Sequence, residues 1–322
     1  MKEDATTTKD KAITIKQKPA TMKEISTIFF ALFCCAMTLG AVAQPKLDLE
    51  GHRGGRGLMP ENTIPAMLNA VRLGARTLEL DCTISSDGKV VVSHDVYMNA
   101  DIMLKPDGSE ISKSEEKQYA IYRMTYDSIR LFAEGVKPYP QFPQQAKLRT
   151  YKPLLSDLID SVEAYVKANH LKPVFYNMET KSTPQGDDIY HPKPEPFVAL
   201  LMGVVKLKGI SGRVIIQSFD PRTLQIVHRD YPAQTTALLI GNKDSYETNI
   251  ANLGFIPSIY SPYYLLVNAE LIKKAHDQHV AVLPWTVNEE VDMKNMAALG
   301  VDGIISDYPD RLIKLFGSYQ AK

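Results

Sequence analysis

The chain has 322 residues, 44% of them apolar and 23% charged, a globular composition with length enough for one large domain or two ordinary ones. Its 37 basic and 37 acidic residues cancel. That balance excludes the broad field that draws in nucleic acid or an anionic membrane, so any anion must be recognised locally.

The first 43 residues read as an export signal. Lys18 and Lys23 precede an apolar run, Ile28 to Gly40, and Ala41-Val42-Ala43 follows as a small-residue cleavage site. The run is well short of the roughly 20 residues a spanning helix needs. Cleavage is expected before Gln44, leaving 44–322 as a single domain of a secreted or periplasmic protein with no stable membrane span. Met22 would open a signal of ordinary length, so 1–21 reads as an over-extended gene start. An uncleaved anchor is the alternative, and bulky Phe33 argues against a lipoprotein site at Cys34. Loss of the segment removes six lysines and four acids, for a net charge of −2, and leaves Cys82 alone, so no internal disulfide can form.

Strand-like and helix-like stretches alternate through the rest. Leu47 to His52 reads as a short strand. Ile64, Met67, Leu68 and Val71 then share one helical face behind an Asn62/Thr63 start signal, and Gly74 stops that helix. Thr77 to Ile84 alternates as a strand, and Ser86-Asp87-Gly88 turns it into a short antiparallel strand, Lys89 to Val92. From Tyr97 to Arg149 the rhythm breaks, with prolines at 138, 140 and 143 and a short helix near Ser128. This stretch, 97–149, reads as an insertion after the second strand region, with a lid or a substrate wall as its simplest role. Helical spacing returns at Leu154, Leu155, Leu158, Ile159, Val162 and Tyr165. Strands follow at 173–178, 213–218, 235–240, 256–260, 280–285 and 303–306, with helices near 195–208, 221–231, 268–279 and 288–299 and a closing helix from Asp310. Eight parallel strands with crossover helices predict a TIM (β/α)8 barrel, with a doubly wound open sheet as the alternative.

Polar residues gather where these strands end: His52 and Arg53, Glu79 and Asp81, Glu179 and Lys181, Gln217, Trp285 and Asn288, Ser306 and Asp307. One rim of a barrel collects all of them, and that rim is where barrel enzymes keep their chemistry.

Taken in order, HRG at 52–54, PENT at 60–63, ELD at 79–81, DG at 87–88, HD at 94–95, NMETK at 177–181, QSF at 217–219, WTVN at 285–288 and DGIISDYP at 302–309 resemble the glycerophosphodiester phosphodiesterase family. The match spans nearly all of 44–322, and the insertion, with FPQQ at 142–145, is similar to the secreted bacterial branch. The resemblance implies a TIM barrel, a divalent cation (Ca2+ or Mg2+) and cleavage of small glycerophosphodiesters to glycerol 3-phosphate and an alcohol. It implies Glu79, Asp81 and Glu179 as metal ligands and His52 and His94 as the acid/base pair, with His52 leaning towards base and His94 towards acid. It also implies that the glycerol hydroxyl next to the phosphate attacks first, giving a cyclic phosphate that water opens.

The residues support that chemistry on their own terms. Glu79 and Asp81 are two apart, so both carboxylates face one side of a strand; with Glu179 they make an all-oxygen cup suited to Ca2+ or Mg2+ rather than zinc. The structural alternative is that they merely pair with Arg53, Arg76 or Lys181. Arg53 and Lys181 are candidates to hold phosphate oxygens. His52 and His94 are the only two of seven histidines beside such a site, and imidazole both takes and gives a proton near neutrality. Glu61 either caps the first helix or holds Arg53, with a direct hold on the metal as the alternative, and Asp95, Gln217 and Asn288 are expected to support the site. Trp285 either walls a glycerol pocket, with Phe219, Tyr260 and Tyr263 able to join it, or sits in the core. Cys82 reads as core, and His170, His191, His228, His276 and His279 read as surface. Two other functions compete: a lysophospholipase-D-like enzyme of the same superfamily, and an inactive barrel serving as a binding module. Many charges among the few aromatics of 97–149 favour a soluble substrate.

Overall fold

The computed structural model describes residues 47–321; the signal segment expected at 1–43 lies outside the described residues. The strands are β1 (Asp48–Gly51), β2 (Thr77–Ile84), β3 (Val90–Val92), β4 (Met103–Leu104), β5 (Ala133–Glu134), β6 (Phe175–Thr180), β7 (Val214–Ser218), β8 (Thr235–Ile240), β9 (Ile259–Pro262), β10 (Ala281–Val282) and β11 (Gly303–Ser306). Eight of them pair in the order β10-β9-β8-β7-β6-β2-β1-β11, every neighbour parallel. Asp302 N–H then donates to Val282 O and Ile305 N–H to Pro284 O, both at 3.0 Å, so the two ends of the sheet meet. A doubly wound sheet would leave those ends apart. The fold is a TIM barrel, and closure removes the edges on which an open sheet could pair with another chain. Pro284 has no N–H to give and interrupts the ladder after β10, although Leu283 and Trp285 still donate to Tyr260 and Pro262.

Helices wrap the barrel: α1 (Ile64–Leu73), α2 (Tyr126–Ile129), α3 (Leu155–Ala168), α4 (Pro194–Leu207), α5 (Pro221–Asp230), α6 (Tyr246–Leu253), α7 (Ala269–Asp277), α8 (Glu290–Leu299) and α9 (Pro309–Phe316). In α1 the Thr63 hydroxyl accepts from Ala66 N–H at 3.3 Å, and Gly74 closes the helix at φ 105°, as the Asn62/Thr63 and Gly74 signals predict. Met67 and Val71 of its apolar face are fully buried, each contributing about 1.5–3 kcal/mol relative to exposure. Sequence reading assigns no helix between β8 and β9. There α6 forms between a Ser245 cap and Gly254, burying only Tyr246, Asn249 and Leu253.

β2 is buried from end to end, and its pleat sorts its residues. Leu78, Leu80 and Cys82 pack under the helices, as expected for Cys82, while Glu79 and Asp81 turn to the axis. Inside the barrel, Ile215, Ala237, Ile259 and Leu283 form an apolar plug. The opposite wall is polar: Asn177 Nδ2 donates to Glu50 at 2.9 Å and Thr77 Oγ1 to Asp48 at 2.7 Å. Antiparallel β3 folds back on β2, pairing Cys82 with Val92 and Ile84 with Val90, and carries the chain to His94.

Residues 97–149 are not a structureless loop. Met98, Ile102, Met103, Ile111, Ile121, Ile129 and Phe132 form a small core of their own with Val91. β4 pairs with β5, and α2 falls at the expected Ser128. The last part of the segment docks on the loop after β1, where Ala146 N–H donates to Leu58 O at 2.8 Å.

Candidate active site

Each functional side chain stands where an inward strand position meets the following loop. β1 ends at Gly51, and His52–Gly54 make one tight turn in which Arg53 has φ 50°. A Cβ at Gly54 would lie 2.8 Å from the Ala66 Cβ and 2.9 Å from the α1 backbone, so this turn against the helix requires glycine. The turn points the Arg53 backbone N–H at Glu79 Oε2, 2.7 Å away.

Glu79 and Asp81 of β2 and Glu179 of β6 bring carboxylate oxygens within 4.8 Å of one another. The β2–β6 register does this by pairing Asp81 with Glu179. Lys181 Nζ lies 2.8 Å from Glu179 and 3.6 Å from Asp81, and Arg53 Nε lies 3.5 Å from Asp81. Simple ion pairing thus accounts for part of the cluster through Arg53 and Lys181, whereas Arg76 pairs with Asp48 at the other end of the strands. It does not balance it. Burial, then the charge of Asp81, pushes the Glu79 carboxyl well above its usual range, and burial raises Glu179 too. Asp81 is held far below its usual value against the effect of burial, by Lys181, His94 and Arg53 and by an Asn62 Nδ2 hydrogen bond of 2.8 Å. Crowded, repelling carboxylate oxygens are the donor set a hard divalent cation takes, so these residues fit the expected ion. Gln217 Nε2 steadies Glu79 at 2.8 Å.

His52 is nearly buried, its Nδ1 2.5 Å from Asp307 Oδ1 and its Nε2 4.0 Å from Glu79. Burial lowers its pKa to about 4; Asp307 opposes this, and Arg53 and Arg56 reinforce it. The ring is therefore neutral at pH 7. With Nδ1–H given to Asp307, the Nε2 lone pair faces the carboxylate cluster. Asn288 grips Asp307 twice, donating Nδ2–H to Oδ2 at 2.8 Å and accepting the Asp307 N–H at 3.0 Å.

His94 follows β3 and is one-third exposed, with Nδ1 3.3 Å from Asp95 Oδ1. Asn99 Nδ2 holds the other Asp95 oxygen at 2.7 Å. Glu61 lies within 4.8 Å of both His94 and Asp95. Between cap and hold on Arg53, Glu61 takes the hold, accepting from Nη1 at 2.8 Å, and Thr63 is the cap.

Trp285 faces the cleft with Nε1–H bound to Ser261 O at 2.8 Å, edge-on to Phe219 at 5.4 Å and tilted to Tyr263 at 5.6 Å. Tyr260 does not join them: it points outward, packs on Tyr246 and accepts from Asn249. His191 also departs from expectation. It is 1% exposed, accepts from Thr183 N–H and packs beside Phe197, whereas His170, His228, His276 and His279 are exposed. The cleft opens to solvent between His52, Arg53, Glu79, His94, Glu179 and Trp285.

The family model for glycerophosphoryl diester phosphodiesterases matches residues 52–311. The chain belongs to the glycerophosphoryl diester phosphodiesterase family. It is 29% identical over 269 residues to a Bacillus altitudinis glycerophosphodiester phosphodiesterase, covering 82% of this chain and 96% of that one. A lysophospholipase D of Rattus norvegicus is 26% identical over 282 residues, 84% of this chain and 86% of its own. Among solved structures, a Silicibacter pomeroyi protein provisionally described as a glycerophosphoryl diester phosphodiesterase superposes with a TM-score of 0.76 at 31% identity. That match covers 85% of this chain and 96% of the other.

The protein is a phosphodiester hydrolase, and its expected site residues lie around one barrel mouth, Asn288 by way of its hydrogen bonds to Asp307. Sequence reasoning left three neighbours without a role. Asp307 stands in the strand-end set and in DGIISDYP, so a carboxylate facing a strand-end histidine was a usable signal. Asn62 reads only as a helix start, yet its side chain both donates to Asp81 and accepts the Asp81 N–H. Arg56 falls between HRG and PENT without an assigned role, yet it lines the cleft and donates to Asp307 at 2.7 Å.

Proposed function

We propose that this enzyme hydrolyses small glycerophosphodiesters to glycerol 3-phosphate and an alcohol, with a divalent cation on Glu79, Asp81 and Glu179 and with His52 and His94 exchanging the protons. One arrangement carries this: three crowded carboxylates flanked by two histidines, each backed by its own aspartate. When bound, the cation supplies positive charge against the charge that builds on the phosphoryl oxygens. Arg53 and Lys181 orient the phosphate. The Nε2 of His52 accepts the proton of the glycerol hydroxyl next to the phosphate, and His94, held by Asp95, returns a proton to the departing alcohol oxygen. The two then exchange roles as water opens the cyclic phosphate. Trp285 and Phe219 wall the glycerol carbons and exclude water from them.

A lysophospholipase D activity is the second reading. Beyond Phe219 and Leu239 the cleft borders a trough lined by Gly241, Leu253, Asn242 and Asn252, with no charged side chain to repel an apolar substituent. An inactive module has nothing in its favour.

Release of glycerol 3-phosphate from choline, ethanolamine, glycerol and inositol esters, alongside lysophospholipids, tests these readings. The expected result is turnover of the water-soluble esters, loss in excess chelator and recovery with Ca2+ or Mg2+. Turnover confined to lysophospholipids would favour the second reading, and full activity of metal-free protein in chelator would reject the cation.

A further inference from the structure

Among the described residues, Arg53, Lys181 and Arg56 stand at the cleft, and the first two are committed to carboxylates. Arg53 is taken by Glu61 and Asp81, and Lys181 by Glu179 and Asp81. Arg56 differs. Its Nε–H donates to Asp307 Oδ1 at 2.7 Å, but Nη1 stays 3.8 Å from Glu61 Oε2. Among the described residues, neither Nη nitrogen has an acceptor within hydrogen-bond distance. The side chain is nonetheless only 15% exposed and lines the cleft beside His52 and Glu79. The Nη edge therefore opens onto the cleft with its N–H groups free to donate to a ligand.

The position is also built from both sides. A Cβ on Gly55 would meet Pro309 at 2.8 Å, and one on Gly57 would meet the Tyr308 ring at 2.5 Å, so the loop carrying Arg56 is pressed onto the start of α9. From the insertion, the Phe142 ring centre lies 4.8 Å from the guanidinium carbon, and Gln145 Nε2 donates to Arg56 O at 2.8 Å.

We propose that Arg56 is a second substrate-contacting guanidinium, which binds a non-bridging oxygen of the phosphodiester through its Nη edge on the His52 side, and that the insertion seats it there through Phe142 and Gln145. The proposal rests on the phosphodiesterase reading above. A planar guanidinium offers paired N–H groups to phosphate that an ammonium does not. Because Arg56 and His52 share one Asp307 oxygen, a phosphate bound by Arg56 is delivered next to His52 Nε2.

The test compares wild type with Arg56→Ala, Arg56→Lys and Phe142→Ala, each checked for an unchanged unfolding temperature. Removing one transition-state donor costs about 10²–10³ in rate, so kcat/KM of Arg56→Ala should fall by that much. Guanidinium ion added to Arg56→Ala should restore part of the loss, Arg56→Lys should recover little, and Phe142→Ala should raise KM more than it lowers kcat. A purely structural bridge between Asp307 and Glu61 would not respond to added guanidinium. Normal kcat/KM in Arg56→Ala, or a loss that guanidinium leaves untouched, would overturn the proposal. Calorimetric binding of inorganic phosphate to the metal-loaded proteins separates the two readings. If wild type cleaves no glycerophosphodiester yet binds phosphate through Arg56, the activity fails and this contact stands. Equal phosphate affinity in wild type and Arg56→Ala counts against the contact whatever the activity.

Discussion

His52 Nδ1 and Arg56 Nε converge on one oxygen of Asp307, at 2.5 and 2.7 Å, while Asn288 holds the other at 2.8 Å. The carboxylate is pinned from three directions and in turn selects the His52 tautomer with a free Nε2. Asp307→Asn keeps the shape but can present an N–H to Nδ1, which moves the imidazole proton to Nε2. We expect kcat to fall by about 10²–10⁴ with KM changed far less. Steady-state kinetics with kcat within about threefold of wild type, far inside that range, would remove Asp307 from the proton chemistry.

The division of labour between the histidines is open to a leaving-group test. Alanine at His52 or His94 should cost about 10²–10⁴ on an alkyl ester. A nitrophenolate needs little protonation on departure, so a nitrophenyl ester of glycerol phosphate should restore much of the rate to the variant lacking the acid, expected to be His94→Ala. Recovery in His52→Ala instead would reverse the assignment.

Repulsion within the carboxylate cluster has a thermal signature. In chelator, Glu79→Gln should unfold at or above the wild-type temperature, since it removes a buried group whose ionised form is disfavoured by burial and by Asp81. With Ca2+ at roughly 100 times its dissociation constant the wild type should gain about 2.7 kcal/mol, and the variant much less. Calorimetric scans with equal Ca2+-induced shifts in both would place the ion elsewhere.

Glu134 is 2% exposed, and neither of its oxygens has a hydrogen-bond donor. Burial raises its pKa from 4.5 to about 8, with Lys152 only partly opposing. The folded state therefore holds the proton more tightly than the unfolded one. The associated stability is present below pH 4.5 and is lost as pH rises towards 8. Glu134→Gln cannot ionise, so its stability should fall less over that window, by on the order of a few kcal/mol. Denaturant titrations at both ends of the window that ran parallel for the two proteins would refute this.

Export should remove residues 1–43, because the lysines, short apolar run and Ala41-Val42-Ala43 have the form of a cleaved signal. Amino-terminal sequencing of exported protein should begin at Gln44; a membrane-bound chain that retains Ile28 to Gly40 would contradict it.

Much of the barrel was legible because its strands and helices carry their own periods. TLELDCTI alternates, so the inward placing of Glu79 and Asp81 and the outward placing of Cys82 follow from the pleat alone. Helix α6 was hidden because a short helix with three buried residues has no continuous apolar stripe, and only its Ser245 and Gly254 caps signal it. Tyr260 was misplaced because a strand read at 256–260 leaves its facing unresolved, and a one-residue change in facing inverts every side chain. β9 in fact spans Ile259–Pro262 and sends Ile259 inward.

By its residues and their spacing, the chain determined its strands, most of its helices and which polar side chains stand at the strand ends. Tertiary structure alone decided their partners. Asp307 meets His52 across 255 residues because β11 closes the barrel against β1, and Arg56 meets Phe142 because the insertion folds back over the first loop. Local periodicity reports which face a residue shows, but which distant residue faces it depends on strand order and closure, and no single segment encodes either.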